Sequence, residues 1–243
     1  MEKLDRNFFW IGGKHACLSA LNNKERKIKK VLCTNDFIKK NKININENFD
    51  IVSTEIIKKC FKDKGFNHQG IAVLTNKIST FKISEINLDE DCVKNIIVLD
   101  GITDQRNIGS IIRSSLAFDV SFVIIDKRFF NQDNILFLKS ASGAFEKQKI
   151  ILTSNIKNDL KVLRKKNFWI YSLDVKSETF IDQIKISQKN VFIFGSEGYG
   201  IKKTISSYVD TKIKIKINNN IESLNVSNAV TSLLTLIKYK TNI

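Results

Sequence analysis

The chain contains no proline, and it has only one methionine and two histidines among its 243 residues. Its four cysteines include no CxxC pair, and no histidine stands at the spacing that a metal site requires. The sequence therefore predicts no metal centre and reduced thiols. His15 and His68 lack a nearby partner for nucleophilic chemistry, so we expect them to have structural or partner-contacting roles. Motifs that usually carry proline must be altered in this chain.

Long apolar runs are missing as well. No stretch approaches the ~20 apolar residues that a membrane-spanning helix needs, and nothing near the N-terminus resembles a secretory signal. We therefore expect a cytoplasmic protein without a membrane partner. A hydrophobic fraction of 42% is typical of a globular chain, and the length suffices for one large domain or two small ones.

Positive charge is present in excess. The chain holds 40 Lys and Arg against 25 Asp and Glu, which gives a net charge of +15. Such a surplus favours a polyanionic partner, and on charge alone RNA, DNA and an anionic membrane surface all fit it. The alternative is that the surplus only serves solubility.

Helix and strand signals alternate along the chain. Residues 1–76 mix short apolar runs with amphipathic stretches, which predicts a small α/β domain. Residues 77–93 turn polar and acidic, which predicts a linker. From residue 94 to 243, continuous apolar runs predict strands covered on both faces by helices, so the fold class is α/β with a parallel sheet. These strands are predicted at 95–100, 121–126, 148–153, 168–173, 190–195 and 211–217, with helices at 109–118, 155–166 and 202–208 and a last helix whose apolar face holds Val226, Val230, Leu233, Leu234 and Ile237.

The segment "FGSEGYG" (194–200) is a glycine-rich loop that follows one of these strands. A phosphate-binding P-loop would need a lysine directly after the last glycine, where Ile201 stands. A Rossmann fingerprint would need G-x-G-x-x-G, whereas the glycines here have the reverse spacing. Two interpretations remain: a plain turn whose glycines supply positive φ, or a ligand loop that carries Glu197 at the carboxyl end of a strand.

Two other strand ends have a similar arrangement. In "LDGITDQRNIGSIIR", Asn107 stands at a helix start and Arg113 about one and a half turns further along. In "IKINNNIESLNVSN", Ser223 and Asn225 precede the last helix. Because ligands of open α/β sheets bind at the carboxyl ends of strands, we expect the three turns to converge on one site. Helix capping is the alternative role for Asn107 and Ser223.

These three stretches resemble the signature motifs of the SpoU family of RNA ribose 2′-O-methyltransferases. "NIGSIIR" (107–113) fits the form N-x-G-x-x-x-R, "FGSEGYG" fits an apolar strand followed by G-x-E-G-x-G, and "SLNVS" (223–227) fits the third motif. Two departures concern positions at which the family usually has proline. Gln105 and Arg106 replace a Pro-His pair, and Lys216 replaces the proline of the third strand end.

The N-terminal part extends the resemblance to nearly the whole chain. "GGKHACLSAL" (12–21) and "HQGIAV" (68–73) are similar to the start and the end of an L30e-like RNA-binding domain. "SASGAFE" (140–146) is similar to a segment of the subgroup that methylates a guanosine in 23S ribosomal RNA. The resemblance implies an L30e-like substrate-binding domain over 1–76 and, over 94–243, a methyltransferase domain with a C-terminal trefoil knot.

The resemblance also implies an activity. It points to S-adenosylmethionine as cofactor, to 2′-O-methylation of a ribose, most closely that of a 23S rRNA guanosine, and to a homodimer. A tRNA 2′-O-methyltransferase and a non-catalytic RNA-binding assembly factor are the alternatives. The implied catalytic residues are Arg113, Asn107, Glu197, Ser223 and Asn225, and the implied cofactor-binding residues are Gly195, Ile215 and Leu224.

Arg113 is a poor candidate for a general base, because the pKa of a guanidinium exceeds about 12. We expect it to stabilise the developing alkoxide or to bind the adjacent phosphate.

Overall fold

The computed structural model describes residues 7–43, 47–63, 65–196, 198 and 200–241. Its contacts group the chain into two compact units, each with its own sheet. The N-terminal unit consists of Met1–Ser79 and Asn131–Lys147, and the C-terminal unit consists of Thr80–Phe130 and Gln148–Ile243. The segment 131–147 thus packs with the N-terminal unit, although the sequence placed it within the range 94–243.

The N-terminal unit is built on a four-stranded mixed sheet. Its strands lie in the order β1-β4-β2-β3; β4 runs antiparallel to β1 and β2, and β2 runs parallel to β3. The central strand "IAVLTN" is buried over its first five residues, which explains its continuous apolar run. The elements are β1 Phe8–Gly12, α1 Lys14–Leu21, β2 Ile28–Cys33, α2 Asn35–Asn41, β3 Phe49–Ile51, α3 Thr54–Lys58 and β4 Ile71–Asn76.

A buried ion pair fixes the segment 131–147 in this unit. Arg26 donates from Nη2 and Nε to the two carboxylate oxygens of Glu146, at 2.7 and 2.9 Å, and the two side chains are 0% and 3% exposed. The Arg26 guanidinium also lies 5.6 and 5.7 Å from the ring centroids of Phe9 and Phe145. Removing one partner of a buried ion pair lowers the free energy of unfolding by about 3–5 kcal/mol. This contact therefore stabilises the packing of two sequence-distant parts of the unit.

The C-terminal unit is built on a six-stranded sheet in the order β10-β8-β9-β5-β6-β7, and among the described residues all its strand pairs are parallel. Parallel strands are covered on both faces and therefore need continuous apolar runs, as in the fully buried "FVIID" of β6. The predicted α/β class with a parallel sheet is confirmed. The strands are β5 Asn95–Asp100, β6 Phe122–Asp126, β7 Ile150–Thr153, β8 Trp169–Leu173, β9 Asn190–Gly195 and β10 Thr211–Ile213.

Within the described residues, five α-helices follow β5 in the chain. They are α4 Gln105–Ala117, α5 Ile135–Ala141, α6 Ile156–Lys165, α7 Lys203–Ser206 and α8 Val226–Thr241, of which α5 belongs to the N-terminal unit. The five positions predicted to form the apolar face of the last helix are all buried. Among the described residues, no helix has the length and apolar character of a membrane span.

Helices α4 and α8 pack against each other. The hydroxyls of Ser114 and Thr231 lie 2.7 Å apart across this contact. Asp104 caps α4 by accepting from Arg106 N at 2.7 Å, and Asn225 precedes α8 and accepts from Ser227 N at 2.9 Å. Each of the two helices therefore has a side-chain cap at its start.

The segment predicted as a linker contributes to the core of the C-terminal unit after Ser79. Phe81 forms a bridge to Ile151 of β7, and Leu88 and Val93 are buried in that core. This segment therefore packs against the core of the C-terminal unit and leads directly into β5.

Candidate active site

Two of the three predicted turns leave neighbouring strands at the same level. In the register of β5 and β9, Asp100 pairs with Gly195, so both strands end together at the carboxyl edge of the sheet. The next residues, Gly101 and Ser196, are adjacent: a Cβ on Gly101 would lie 3.8 Å from the Cβ of Ser196. The third turn follows β10, which also runs parallel to its neighbour β8 and ends at this edge.

The glycine loop closes on its own backbone. Gly200 N donates to Ser196 O at 2.9 Å, and the two residues form a bridge. A Cβ on Gly195 would lie 2.2 Å from the carbonyl carbon of Gly200 and 2.6 Å from Ile201 N, so no side chain fits there. The φ of Gly200 is 63°, a conformation that favours glycine.

The outer side of this loop is open. At Gly198 and at Gly200 no described atom lies within 4 Å of a Cβ position. Within the described residues, no side chain therefore lies against the main chain at Gly198 and Gly200. Glu197, the predicted catalytic carboxylate, lies outside the described residues.

Asp100 fixes the far end of the loop, and sequence reasoning missed it. Its side chain is buried; Oδ2 accepts from Lys202 N at 2.9 Å, and Oδ1 lies 3.0 Å from Lys202 Nζ. The second contact is an ion pair whose angles do not meet those of a hydrogen bond. The signal in the sequence was an acid at the end of an otherwise apolar strand, a position that costs free energy unless the carboxylate has a partner.

The structure brings together the amides of two predicted residues. Asn225 Nδ2 donates to Asn107 Oδ1 at 3.0 Å, across 118 positions of sequence. Asn225 Oδ1 accepts from the backbone and the hydroxyl of Ser227, at 2.9 and 2.7 Å. One asparagine thus caps α8 and also joins the starts of α4 and α8.

Three further predicted residues belong to the segment from the end of β10 to the start of α8. Ser223 is exposed and Leu224 half-buried, both directly before Asn225. Ile215, also half-buried, follows the end of β10 and comes directly after Lys214, whose backbone N donates to Thr179 O at 2.9 Å. The three predicted turns therefore lie together at the carboxyl edge of the sheet.

Arg113 is exposed on α4, six positions or just over one and a half turns beyond Asn107. Six positions correspond to about 240° of rotation, so Arg113 and Asn107 leave the helix on different sides. Within the described ranges Arg113 forms no salt bridge, and its guanidinium is accessible to an anion.

Further ionisable groups lie at the ends of the next two strands. Arg128 donates to both oxygens of Asp126, which ends β6, and holds the pKa of that carboxyl below its usual range. Burial raises the pKa of Asp159 in the first turn of α6, although a hydrogen bond from Thr153 acts in the opposite direction. The same edge thus holds two carboxylates whose pKa values are shifted in opposite directions.

The histidines lie in the N-terminal unit. His68 is buried, and its Nδ1 accepts from Gly70 N at 3.1 Å; burial lowers the pKa of its imidazole. His15 is exposed on α1. Across the described residues, no group of three or more His, Cys, Asp or Glu side chains could hold a metal ion.

Comparison with known proteins adds relatives of similar length. A protein of Borreliella burgdorferi described as an uncharacterized tRNA/rRNA methyltransferase is 32% identical over 209 residues, covering 79% of this chain and 87% of its own. A 23S rRNA (guanosine-2′-O-)-methyltransferase RlmB of Xylella fastidiosa is 27% identical over 226 residues, covering 90% and 91% of the two chains.

Solved structures share the fold. The SpoU methyltransferase AviRb from Streptomyces viridochromogenes, solved in complex with AdoMet, superposes with a TM-score of 0.80 at 15% identity and covers 97% of this chain and 91% of its own. The SpoU rRNA Methylase family model matches residues 94–235, which contain all three motifs. The chain therefore belongs to the SpoU rRNA methylase family, as its motifs predicted.

Proposed function

We propose that this protein transfers a methyl group from S-adenosylmethionine to the ribose 2′-hydroxyl of a guanosine in 23S rRNA. The observation that carries the proposal is the Asn107–Asn225 hydrogen bond. It joins the first and third family motifs at the edge of the sheet at which the second motif forms its closed loop.

The carboxyl edge fits the cofactor. S-adenosylmethionine supplies a methyl group already activated as a sulfonium. Its adenosine needs main-chain hydrogen-bonding groups and apolar surface, and the chain offers the uncovered main chain at Gly198 and Gly200 beside half-buried Gly195. Half-buried Ile215 and Leu224 supply apolar side chains at the same edge. We assign Gly195, Ile215 and Leu224 to cofactor binding on this basis.

The catalytic work left to the protein is alignment of the hydroxyl and stabilisation of the charge that develops on it. Arg113 is exposed and positively charged, which suits stabilisation of an alkoxide or binding of the neighbouring phosphate. Asn107 and Asn225 orient the target nucleotide through their amides. Ser223 supplies a hydroxyl beside them, and Glu197 orients the arginine.

The 23S rRNA guanosine is proposed because of two supports. The RlmB relative of Xylella fastidiosa, described as a 23S rRNA (guanosine-2′-O-)-methyltransferase, aligns with 90% of this chain. A net charge of +15 suits a polyanionic substrate. In this proposal the L30e-like domain of residues 1–76 binds the RNA, the C-terminal chain forms a trefoil knot around the cofactor, and the protein acts as a cytoplasmic homodimer.

The test is incubation of the purified protein with methyl-labelled S-adenosylmethionine and total RNA from a strain that lacks it. We expect label at a single 2′-O-methylguanosine of 23S rRNA, located by nuclease mapping. Label on tRNA would support the proposed reaction but contradict the proposed rRNA target. Absence of label, together with absence of cofactor binding in calorimetry, would overturn the reaction and favour a non-catalytic RNA-binding factor.

Two substitutions at Arg113 test its assigned role in the same assay. Arg113→Ala should lower kcat by about 100-fold or more, the loss typical of removing one transition-state donor. Arg113→Lys keeps the charge and should retain clear activity. If the lysine variant is as inactive as the alanine variant, the charge-stabilising role is wrong.

The homodimer is tested separately by light scattering at micromolar concentration. A mass of about twice the 27.8 kDa of the chain is expected, and a monomer would contradict the dimer.

A further inference from the structure

The C-terminal unit has a large cavity at the edge of the sheet opposite to the candidate active site. Its volume is about 1060 Å³. It is lined by Asn95 and Asn190, the first residues of β5 and β9, and by residues at the ends of α4 and α8. A six-residue strand separates the two edges by about 17 Å, so the cavity is distinct from the motif site. We call it the amino-edge groove.

Cations predominate among the charged residues that line the groove. Two aspartates, Asp91 and Asp119, contribute to it, and they are outnumbered by lysines. The lysines come from the start of β5, from the segment before β9 and from the last turns of α8. They are Lys94, Lys185, Lys189, Lys238 and Lys240.

Three of these lysines are used to build the groove. Lys240 donates to the carbonyls of Asp182 and Ile184, at 2.6 and 2.7 Å, which fixes the segment before β9 against α8. Lys189 donates to Leu88 O at 2.7 Å, and Lys238 pairs with Asp119 at 2.7 Å. These contacts hold the walls in place.

The other two lysines are placed to meet a ligand. Lys94 and Lys185 are exposed, and within the described part of the chain neither forms a salt bridge. They come from the two segments that lead into the neighbouring strands β5 and β9. A pair of uncompensated cations at a preformed groove attracts phosphate rather than a neutral ligand.

A buried acceptor lies at the floor of the groove. Asn190 is 2% exposed, and its Nδ2 donates to Asn95 Oδ1 and Ser187 O, both at 2.9 Å. These two acceptors fix the orientation of the amide and leave Asn190 Oδ1 without a partner among the described residues. A buried acceptor without a partner costs about 1–3 kcal/mol, and a ligand hydroxyl or amino group that reached Asn190 Oδ1 would remove that cost.

We propose that the amino-edge groove binds a segment of single-stranded RNA, with its phosphates at Lys94 and Lys185 and a ribose hydroxyl or base amino group directed towards Asn190. The proposal rests on the proposed function for its choice of RNA. A ribonucleotide combines both features of the groove, because it carries an anion and hydrogen-bond donors on one unit. The groove then holds RNA that flanks the target nucleotide.

The test compares two charge-matched variants of the full-length protein. Lys94→Gln with Lys185→Gln removes the two groove cations, and Lys161→Gln with Lys165→Gln removes two exposed cations from α6. The probe is a fluorescein-labelled single-stranded oligoribonucleotide, titrated at several salt concentrations. We expect the groove variant to bind about tenfold more weakly at about 0.15 M salt and to lower the salt slope by about 1.4, since each phosphate contact on a single strand contributes about 0.7.

The control variant should bind within about twofold of the unmodified protein. A 4-thiouridine probe should crosslink to the peptides around Lys94 and Lys185, as read by mass spectrometry. Equal affinity of the two variants would overturn the proposal. So would a change of sedimentation in the groove variant with unchanged RNA affinity, because that result would identify the occupant as a second copy of the chain.

The two proposals fail in different ways. If methyl transfer is normal but the variants bind RNA equally, only the groove proposal is wrong. If no methyl transfer is found but the groove variant still loses RNA affinity and crosslinks, only the catalytic proposal is wrong. At saturating RNA, the groove variant should keep the kcat of the unmodified protein, because its lysines lie at the edge away from the motif site.

Discussion

The two edges of the six-stranded sheet are built differently. At the carboxyl edge, the charge of Asp100 is buried against Lys202 and the amides of Asn107 and Asn225 are bonded to each other. At the amino edge, Lys94 and Lys185 remain exposed beside a cavity of about 1060 Å³. The first edge is organised by close contacts between fixed groups, whereas the second combines fixed walls with two exposed cations. We infer that geometry is the requirement at the former and attraction at the latter, as expected for a catalytic site and a backbone-binding groove.

The largest effect is expected from Gly195→Ala. A methyl group there would lie 2.2 Å from backbone of the same loop, so the loop cannot keep its closed form. We expect cofactor affinity to fall by about 100-fold and stability by about 1–3 kcal/mol, the usual cost of overpacking. Calorimetric titration with S-adenosylmethionine and thermal unfolding measure the two losses.

Gly198→Ala is the matched control, because the Cβ position at residue 198 is open and its φ is outside the positive range. It should bind the cofactor within about threefold of the unmodified protein. If both variants bind the cofactor equally well, the close approach between Gly195 and the backbone of Gly200 is unimportant. Cofactor binding at the carboxyl edge then does not depend on the closed form of the loop.

The next largest effect is expected from a comparison of two ion pairs, one at each edge of the sheet. Asp100→Asn removes a buried carboxylate that accepts from Lys202 N, and the amide then faces donors. We expect a loss of about 1–3 kcal/mol in urea unfolding, since a hydrogen bond to a charged group is lost in the interior. Asp119→Asn removes an exposed partner of Lys238 and should cost less than about 1 kcal/mol. Equal losses would show that the two edges do not differ in their use of charge.

The local pattern of the sequence predicts the strands of this sheet well where apolar runs are continuous. The runs at 95–100 and 190–195 match β5 and β9 residue for residue. The run at 211–217 was predicted too long, because β10 ends at Ile213. Beyond it, Lys214 forms only a single bridge to Phe180, and the alternation of Ile and Lys continues without a sheet partner.

Contacts between distant segments were predictable only where motifs marked them. The meeting of Asn107 and Asn225 was expected from three similar turns at strand ends. The packing of residues 131–147 in the N-terminal unit was not, because Arg26 and Glu146 are 120 positions apart and neither stands in a periodic pattern. Asp100 was missed for a related reason: its partner is a lysine that local sequence does not distinguish from the others.

A smaller effect is expected from Asn225→Asp, which separates the two functions of this residue. The carboxylate can still accept from Ser227 and cap α8, but it can no longer donate to Asn107. We expect stability to change by less than about 1 kcal/mol, since caps of Asp and Asn are similar. Methyl transfer should fall by about tenfold, equivalent to ~1.4 kcal/mol in the transition state.

Asn155→Asp serves as the control, because Asn155 caps α6 in the same way without bridging to another helix. It should leave methyl transfer unchanged and stabilise α6 slightly through the helix dipole. If Asn225→Asp retains full activity, the bridge between α4 and α8 does not contribute to the site.

The smallest effect concerns Asp159 and its pH dependence. Burial raises the pKa of this carboxyl in the folded state above its value of about 3.9 in an unfolded chain. The folded state therefore holds the proton more tightly, and stability falls as pH rises between the two pKa values. Asp159→Asn removes this loss, so the variant should be more stable than the unmodified protein at neutral pH, by less than about 1 kcal/mol, and no more stable below about pH 4.

Asp126→Asn should have the opposite sign. Arg128 lowers the pKa of Asp126, so this carboxylate stabilises the folded state above the unfolded pKa and loses that contribution as pH falls. The variant should be less stable than the unmodified protein at neutral pH and approach it in acid. Urea unfolding of both variants from about pH 4 to 7 gives two difference curves of opposite sign. If the curves have the same sign, burial and pairing do not act on the two carboxylates as the structure requires, and the view of the carboxyl edge as a set of individually fixed charges is wrong.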